Sequence, residues 1–157
     1  LTQNLADSGE RAQRELREAR VQPAGANWAA ALKIGAREPV ELLQTRAIVR
    51  GRVIGTSLCA LPGTRFAGFA AVFAETRSIT QSLRRFGVDD YTRARSVVST
   101  RMPTHEEADL LARPVTAPVL VVDYVNVDGE GVPVEAGQTL FAADAVQLVV
   151  SPEDFTA

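Results

Sequence analysis

Two pairs of extended apolar runs, each closed by a short polar turn, constrain this chain more than any other feature. Val40 to Val49 and Val53 to Ala60 are joined around Arg50-Gly51-Arg52, and Pro118 to Val127 and Val132 to Ala142 flank Asp128-Gly129-Glu130-Gly131. Runs of this length meeting at a glycine-bearing turn read as β-hairpins, and hairpins commit their strands to antiparallel pairing. Thr92 to Met102 and Val146 to Val150 read as further strands. If the first of these is unbroken, Arg93, Arg95, Val97, Ser99 and Arg101 share one face.

Helical signals fall between the strands. Thr2 to Ser8 reads as a short helix stopped by Gly9, Asn27 to Ile34 as a helix ended by Gly35, and Phe66 to Glu75 as an apolar helix. Ser78 with Gln81 makes a capping-box pattern that opens a helix over Ile79 to Phe86, closed by Gly87. Thr104 with Glu107 makes a second, after Pro103, opening a helix through Leu111. Arg11 to Gln22 is ambiguous: its Arg, Glu, Ala and Leu content favours a helix on propensity. The sum is an α+β domain, an antiparallel sheet of hairpins with helices mainly on one side.

A length of 157 residues suits a single domain over 1–157. The net charge of −2 argues against a segment whose main work is gripping phosphate backbones. With Cys59 as the only cysteine, an intramolecular disulfide and a multi-cysteine zinc site are excluded, and a reducing cytoplasm is the expected setting. No apolar run is long enough to span a bilayer as a helix, so no membrane partner is expected. Leu1 in place of Met points to a fragment, a trimmed product or a processed one.

Several segments together resemble the UTRA effector domain, related to chorismate lyase, of the HutC subgroup of GntR-type bacterial transcription regulators. They are Leu1-Thr2-Gln3-Asn4-Leu5 before Gly9, Trp28 to Gly35, the Arg50-Gly51 turn, Ser78-Ile79-Thr80-Gln81-Ser82-Leu83, Ala117-Pro118-Val119-Leu120 and Asn126 to Glu135. Each is weak alone, but their order and spacing cover nearly the whole chain. Thr2 to Leu5 and Val125 to Asp128 look most similar to regulators of phosphonate utilisation. The resemblance implies a chorismate-lyase-like fold in which Arg14 to Gln22 is a strand against its propensity. It also implies a homodimer, usually a repressor, that meets DNA only through an N-terminal winged helix-turn-helix domain not contained in this chain.

For the site, the resemblance implies an effector pocket touching Ser78, Arg46, Glu135 and Thr2. Ser78 is equally an N-cap that satisfies a backbone N–H, although a helix start also suits an anion. Arg46 lies where the family carries arginines that fork onto a phosphate or carboxylate. Gln44, Thr45 and Ala47 depart from that pattern, where more than one arginine is common. Arg93 or Arg95 would line an anion pocket beside Ser78, or else join a solvated face. Glu135 would approach ligand hydroxyl or amino groups, or pair across a hairpin. Thr2 would line the pocket or cap the first helix.

His105, the only histidine, falls in the first turn of a helix and reads as exposed, so neither a catalytic triad nor a histidine metal site is supported. Cys59 reads as a core residue and the Asp89-Asp90 pair as a solvated loop. The expectation is therefore a non-enzymatic ligand-sensing domain for a small anionic metabolite, with no cofactor and no metal. The rivals are a dimerisation domain without ligand and a chorismate-lyase-like enzyme.

Overall fold

The computed structural model describes residues 12–155. Thr2, and the helix expected over Thr2 to Ser8, lie outside them. Six strands form one antiparallel sheet: β1 (Gln13–Pro23), β2 (Pro39–Val49), β3 (Arg52–Pro62), β4 (Tyr91–Arg101), β5 (Val119–Asp128) and β6 (Pro133–Ala142). Their spatial order is β1-β2-β3-β6-β5-β4. The helices are α1 (Gly25–Leu32), α2 (Phe69–Thr76), α3 (Ile79–Arg85) and α4 (His105–Leu111), followed by a 3-10 turn at Pro152–Phe155.

Both hairpins form as their turns demand. Arg50 and Gly51 take φ of 51° and 75° between β2 and β3, the left-handed pair that a two-residue turn needs to match strand twist. In the second hairpin the Asp128 carboxylate accepts the Glu130 and Val132 amides, and Gly131 sits at φ 80°. β1 overrides its helical propensity by pairing with β2 from Gln13↔Ile48 to Pro23↔Pro39 and sending Leu16 against the core. Its charged residues suit an edge strand, where they discourage further pairing.

Val146–Val150, expected as a strand, is irregular chain instead. Leu148, Val149 and Val150 are exposed, and among the described residues none of the six strands pairs with this segment. The helix expected at Asn27 to Ile34 starts and stops two residues earlier, ending at Lys33 with φ 56° rather than at Gly35.

Adjacent strand residues face opposite ways, so the core clusters show how the layers divide. Leu43, Cys59 and Leu61 pack with Phe66, Phe69, Phe73 and Leu83, which belong to α2, α3 and the loop before them. Leu42, Ala60 and Ala136 pack with Ala29 and Leu32 of α1, and Val121 and Leu140 pack with Leu111 of α4. The helices, expected mainly on one side, thus sit two on each face of the sheet. The α+β class and the antiparallel hairpins are as expected.

Candidate functional site

Short local rules place the first candidate. Ser78 is extended (φ −143°) and its Oγ accepts the Gln81 amide at 3.2 Å, which makes it the N-cap of α3. Thr76 braces the turn before it by donating to the Ser78 carbonyl at 3.1 Å and by bonding the buried Ser82 hydroxyl at 2.6 Å. Thr80 reaches across to the Tyr91 hydroxyl at 2.7 Å, tying α3 to the start of β4. A buried carboxylate, Glu41, accepts the Gly68 amide at 2.7 Å and anchors the start of α2.

Beneath these helices the sheet carries buried polar side chains. Glu135 is 3% exposed and forms their hub. The Tyr124 hydroxyl donates to its Oε1 and the Asn126 amide to its Oε2, both at 2.8 Å. Arg93 then fixes the Asn126 amide by donating from Nε to Oδ1 at 2.7 Å, and its guanidinium lies 4.2 Å from the Tyr124 ring centre. Gly137 makes the hub possible, since a Cβ there would come within 2.5 Å of the Tyr124 hydroxyl.

Ser57 and Thr139, opposite each other across β3 and β6, bond at 2.8 Å on the same face, and Thr45 stands opposite Ser57 on its other side. Cys59, opposite Gly137, is buried beside Glu135. Burial first, and the Glu135 carboxylate second, push the Cys59 thiol and the Tyr124 hydroxyl well above their usual pKa values. Both groups therefore stay protonated and serve as neutral groups around the carboxylate rather than as nucleophiles.

The remaining candidates separate. Arg46 pairs in register with Thr56 and Glu15, on the face of α1 and α4, and its Nη2 meets the Glu15 carboxylate at 2.9 Å. Its Nε is buried with no hydrogen-bond partner among the described residues. The shared parity of Arg93 and Arg95 does not hold, because a bulge at Ala94 interrupts β4. Arg93 stands opposite Asn126 while Arg95 stands opposite Val125, so the two point to opposite faces. Arg95 borders a cavity of about 620 Å³ with Trp28, Ala31, Leu58, Val97 and Val125. A smaller one of about 260 Å³ lies between the sheet and α4, near Gln44, Thr56 and Leu110. Both cavities open on the α1/α4 face, and Tyr124 and Gly137 of the hub also line the larger one.

The structure thus brings Ser78, Arg93 and Glu135 to one face and leaves Arg46 and Arg95 on the other. Arg101 is held by Glu107 through two bonds of 2.6 and 2.8 Å, and His105 is exposed at the start of α4. Among the described residues, no group of three His, Cys, Asp or Glu side chains could hold a metal ion. No helix among them is long and apolar enough to cross a membrane.

Tyr124 and Asn126 escaped the sequence reading as site residues. The signal was available: they alternate on one strand of a hairpin whose other strand carries Glu135, with a glycine two residues beyond it.

The chain is similar to known proteins over most of its length. The model of the UTRA domain matches residues 7–147. An uncharacterized HTH-type transcriptional regulator of Rhizobium meliloti (strain 1021) is 36% identical over 126 residues, which cover 80% of this chain and 52% of that protein. The chain thus spans about half the length of this curated relative. The crystal structure of PhnF from Mycobacterium smegmatis superposes with a TM-score of 0.84 at 24% identity, covering 94% of this chain and 66% of that one. The ligand-binding domain of a candidate GntR-family transcriptional regulator from Bordetella bronchiseptica superposes at 0.78 with 25% identity, covering 90% and 88%.

Proposed function

This chain belongs to the UTRA domain family, and from that premise we propose that it is the effector-binding domain of a GntR-family bacterial transcription regulator. Its effector is a small anionic metabolite: a phosphonate, a phosphate ester or a carboxylate. The effector binds on the sheet face beneath α2 and α3, where Ser78 and Glu135 meet it and Arg93 supports Glu135 through Asn126. One observation carries this reading. The sheet buries Glu135, Asn126, Thr45 and Ser57 on a single face, and a cluster of buried polar groups costs stability that an ordinary core would not spend. Arg46 and Arg95 lie across the sheet and are not part of this pocket.

The relative of the HTH type supports an attached N-terminal DNA-binding domain as the output. The regulator works as a cytoplasmic homodimer and acts as a repressor. The effector must bind one arrangement of the dimer more tightly than another, since equal affinity for both shifts nothing. The domain itself is non-enzymatic. Its thiol is held protonated and its single histidine is exposed on another element, so neither offers an activated nucleophile or base to this face.

Thermal unfolding of the chain with phosphonates, phosphate esters and amino-acid-derived acids tests the reading. A binding effector raises the midpoint with its concentration. That rise is expected to vanish in Ser78→Ala and Glu135→Gln and to persist in Arg95→Ala. No stabilisation by any of these acids would favour a dimerisation domain without ligand.

A further inference from the structure

Resting on the reading that the α2/α3 face binds a small anion, we infer that Arg14 of β1 supplies the cation of that site. The register sets Arg14 opposite Ala47, and Ala47 opposite Gly55. The row beginning at Arg14 therefore continues through two residues with almost no side chain, leaving room for a guanidinium to lie over the sheet. The neighbouring row on the same face is Leu16, Thr45, Ser57 and Thr139, a hydroxyl-bearing floor. On the far side of that floor stand Cys59, Tyr124 and Glu135.

Arg14 is half-buried and makes no hydrogen bond or ion pair among the described residues. By contrast Arg46, Arg65, Arg85, Arg101 and Arg113 each hold a carboxylate. A guanidinium is always charged and carries five donors, so a partly desolvated one that the described residues give no acceptor has donors to offer a ligand. An oxyanion completes it with two parallel bonds. Its field reaches the hub, since its charge opposes the upward push that burial gives to the Cys59 thiol and the Tyr124 hydroxyl. β2 offers only Thr45 and Ala47 to this face at the same level, because Arg46 points away and is engaged by Glu15. The site's cation thus comes from the edge strand.

This placement describes a ligand with two ends. Arg14 takes a phosphate, phosphonate or carboxylate. Glu135 takes a hydroxyl or amine, since Tyr124, Asn126 and the Cys59 thiol occupy three of its four acceptor positions and one remains. The floor of Thr45, Ser57 and Thr139 between them suits a short hydrophilic body.

The test is an amide NMR titration of the 157-residue chain with phosphoethanolamine, ethyl phosphate and ethanolamine. Phosphoethanolamine is expected to shift the Thr45, Ser57 and Thr139 resonances saturably. Either single-ended probe should bind at least about tenfold more weakly, the worth of one charged hydrogen bond. Arg14→Gln should weaken phosphoethanolamine by about tenfold or more while keeping a native spectrum, and Arg46→Gln should leave its affinity unchanged.

Wild-type affinity in Arg14→Gln would remove Arg14 from the site, and the sensing reading would stand. Equal weakening in both variants would report net charge alone and overturn the assignment. Shifts by none of the three probes, nor by inorganic phosphate, would overturn the anion site and the sensing reading together.

Discussion

On one face of the sheet, beneath α2 and α3, polar side chains are buried and joined: Tyr124 and Asn126 bracket Glu135, and Arg93 locks Asn126. On the other, beneath α1 and α4, the sheet leaves cavities, and charged groups pair near the rim, as Arg46 does with Glu15 and Arg101 with Glu107. The two faces share the same six strands, so composition alone cannot explain the difference. The buried network fixes the orientation of every polar atom around one carboxylate, which is what recognition of a small ligand requires. The rim pairs are partly solvated and hold α4 and an edge strand in place, a structural task worth little per pair. The larger cavities thus open on the face opposite the proposed site.

The two faces differ most sharply in what a substitution at Gly137 does. An alanine there would set its Cβ 2.5 Å from the Tyr124 hydroxyl and 2.6 Å from Cζ, expelling the ring from the hub. Gly137→Ala is expected to cost about 3 kcal/mol in urea unfolding, at the upper end of overpacking, and to abolish effector-induced stabilisation. An unchanged midpoint would mean that Tyr124 does not occupy the hub. Trp28→Ala makes the matching cut on the opposite face. Trp28 is only partly buried against Ala29, Leu32 and Val40, so the expected loss is about 2 kcal/mol. Its response to effector should be that of the wild type. Loss of that response would move the ligand to the cavity between α1 and β4.

What was legible in the sequence separates along the same line. The caps at Ser78 and Thr104 were readable because a cap is decided within four residues. The hairpins were readable because glycine and polar turns interrupt strongly apolar runs. Which face a side chain occupies was not readable, because one extra residue reverses it. Bulges at Arg17 and Ala94 do this in β1 and β4, and the second sends Arg93 and Arg95 apart. Arg14 stayed hidden for another reason. The resemblance implies a strand over Arg14 to Gln22, but only the register with β2 puts Arg14 on the face of Leu16 and Thr45.

A milder contrast can be drawn by pH. Glu107 sits on the cavity face, where the Arg101 guanidinium and the Thr104 amide hold its carboxyl down from an ordinary 4.5 to about 2. A depressed carboxylate pKa stabilises the fold above the unfolded value. That contribution is lost as pH falls from about 4.5 through about 2. Arg101 is 39% exposed, so solvent screening limits the effect to about 1 kcal/mol. The acid limb of stability, followed by urea midpoints, should flatten by that amount in Glu107→Gln. An unchanged limb would assign the acid sensitivity to other carboxylates.

The smallest expected change is a gain. Lys33 closes α1 in the left-handed region at φ 56°, with its amide bonded to the Ala29 carbonyl. A side chain strains this conformation and glycine does not, although glycine loses more backbone freedom on folding. Lys33→Gly should therefore stabilise the chain by about 0.5 kcal/mol, since the relieved strain of roughly 1 kcal/mol exceeds the entropic cost. It lies on the cavity face and removes an exposed charge, so the effector response of the hub should not move. A destabilised variant would show that the Lys33 stem packs on α1. A weakened effector response would show that the two faces are coupled through α1, and the separation drawn between them would fail.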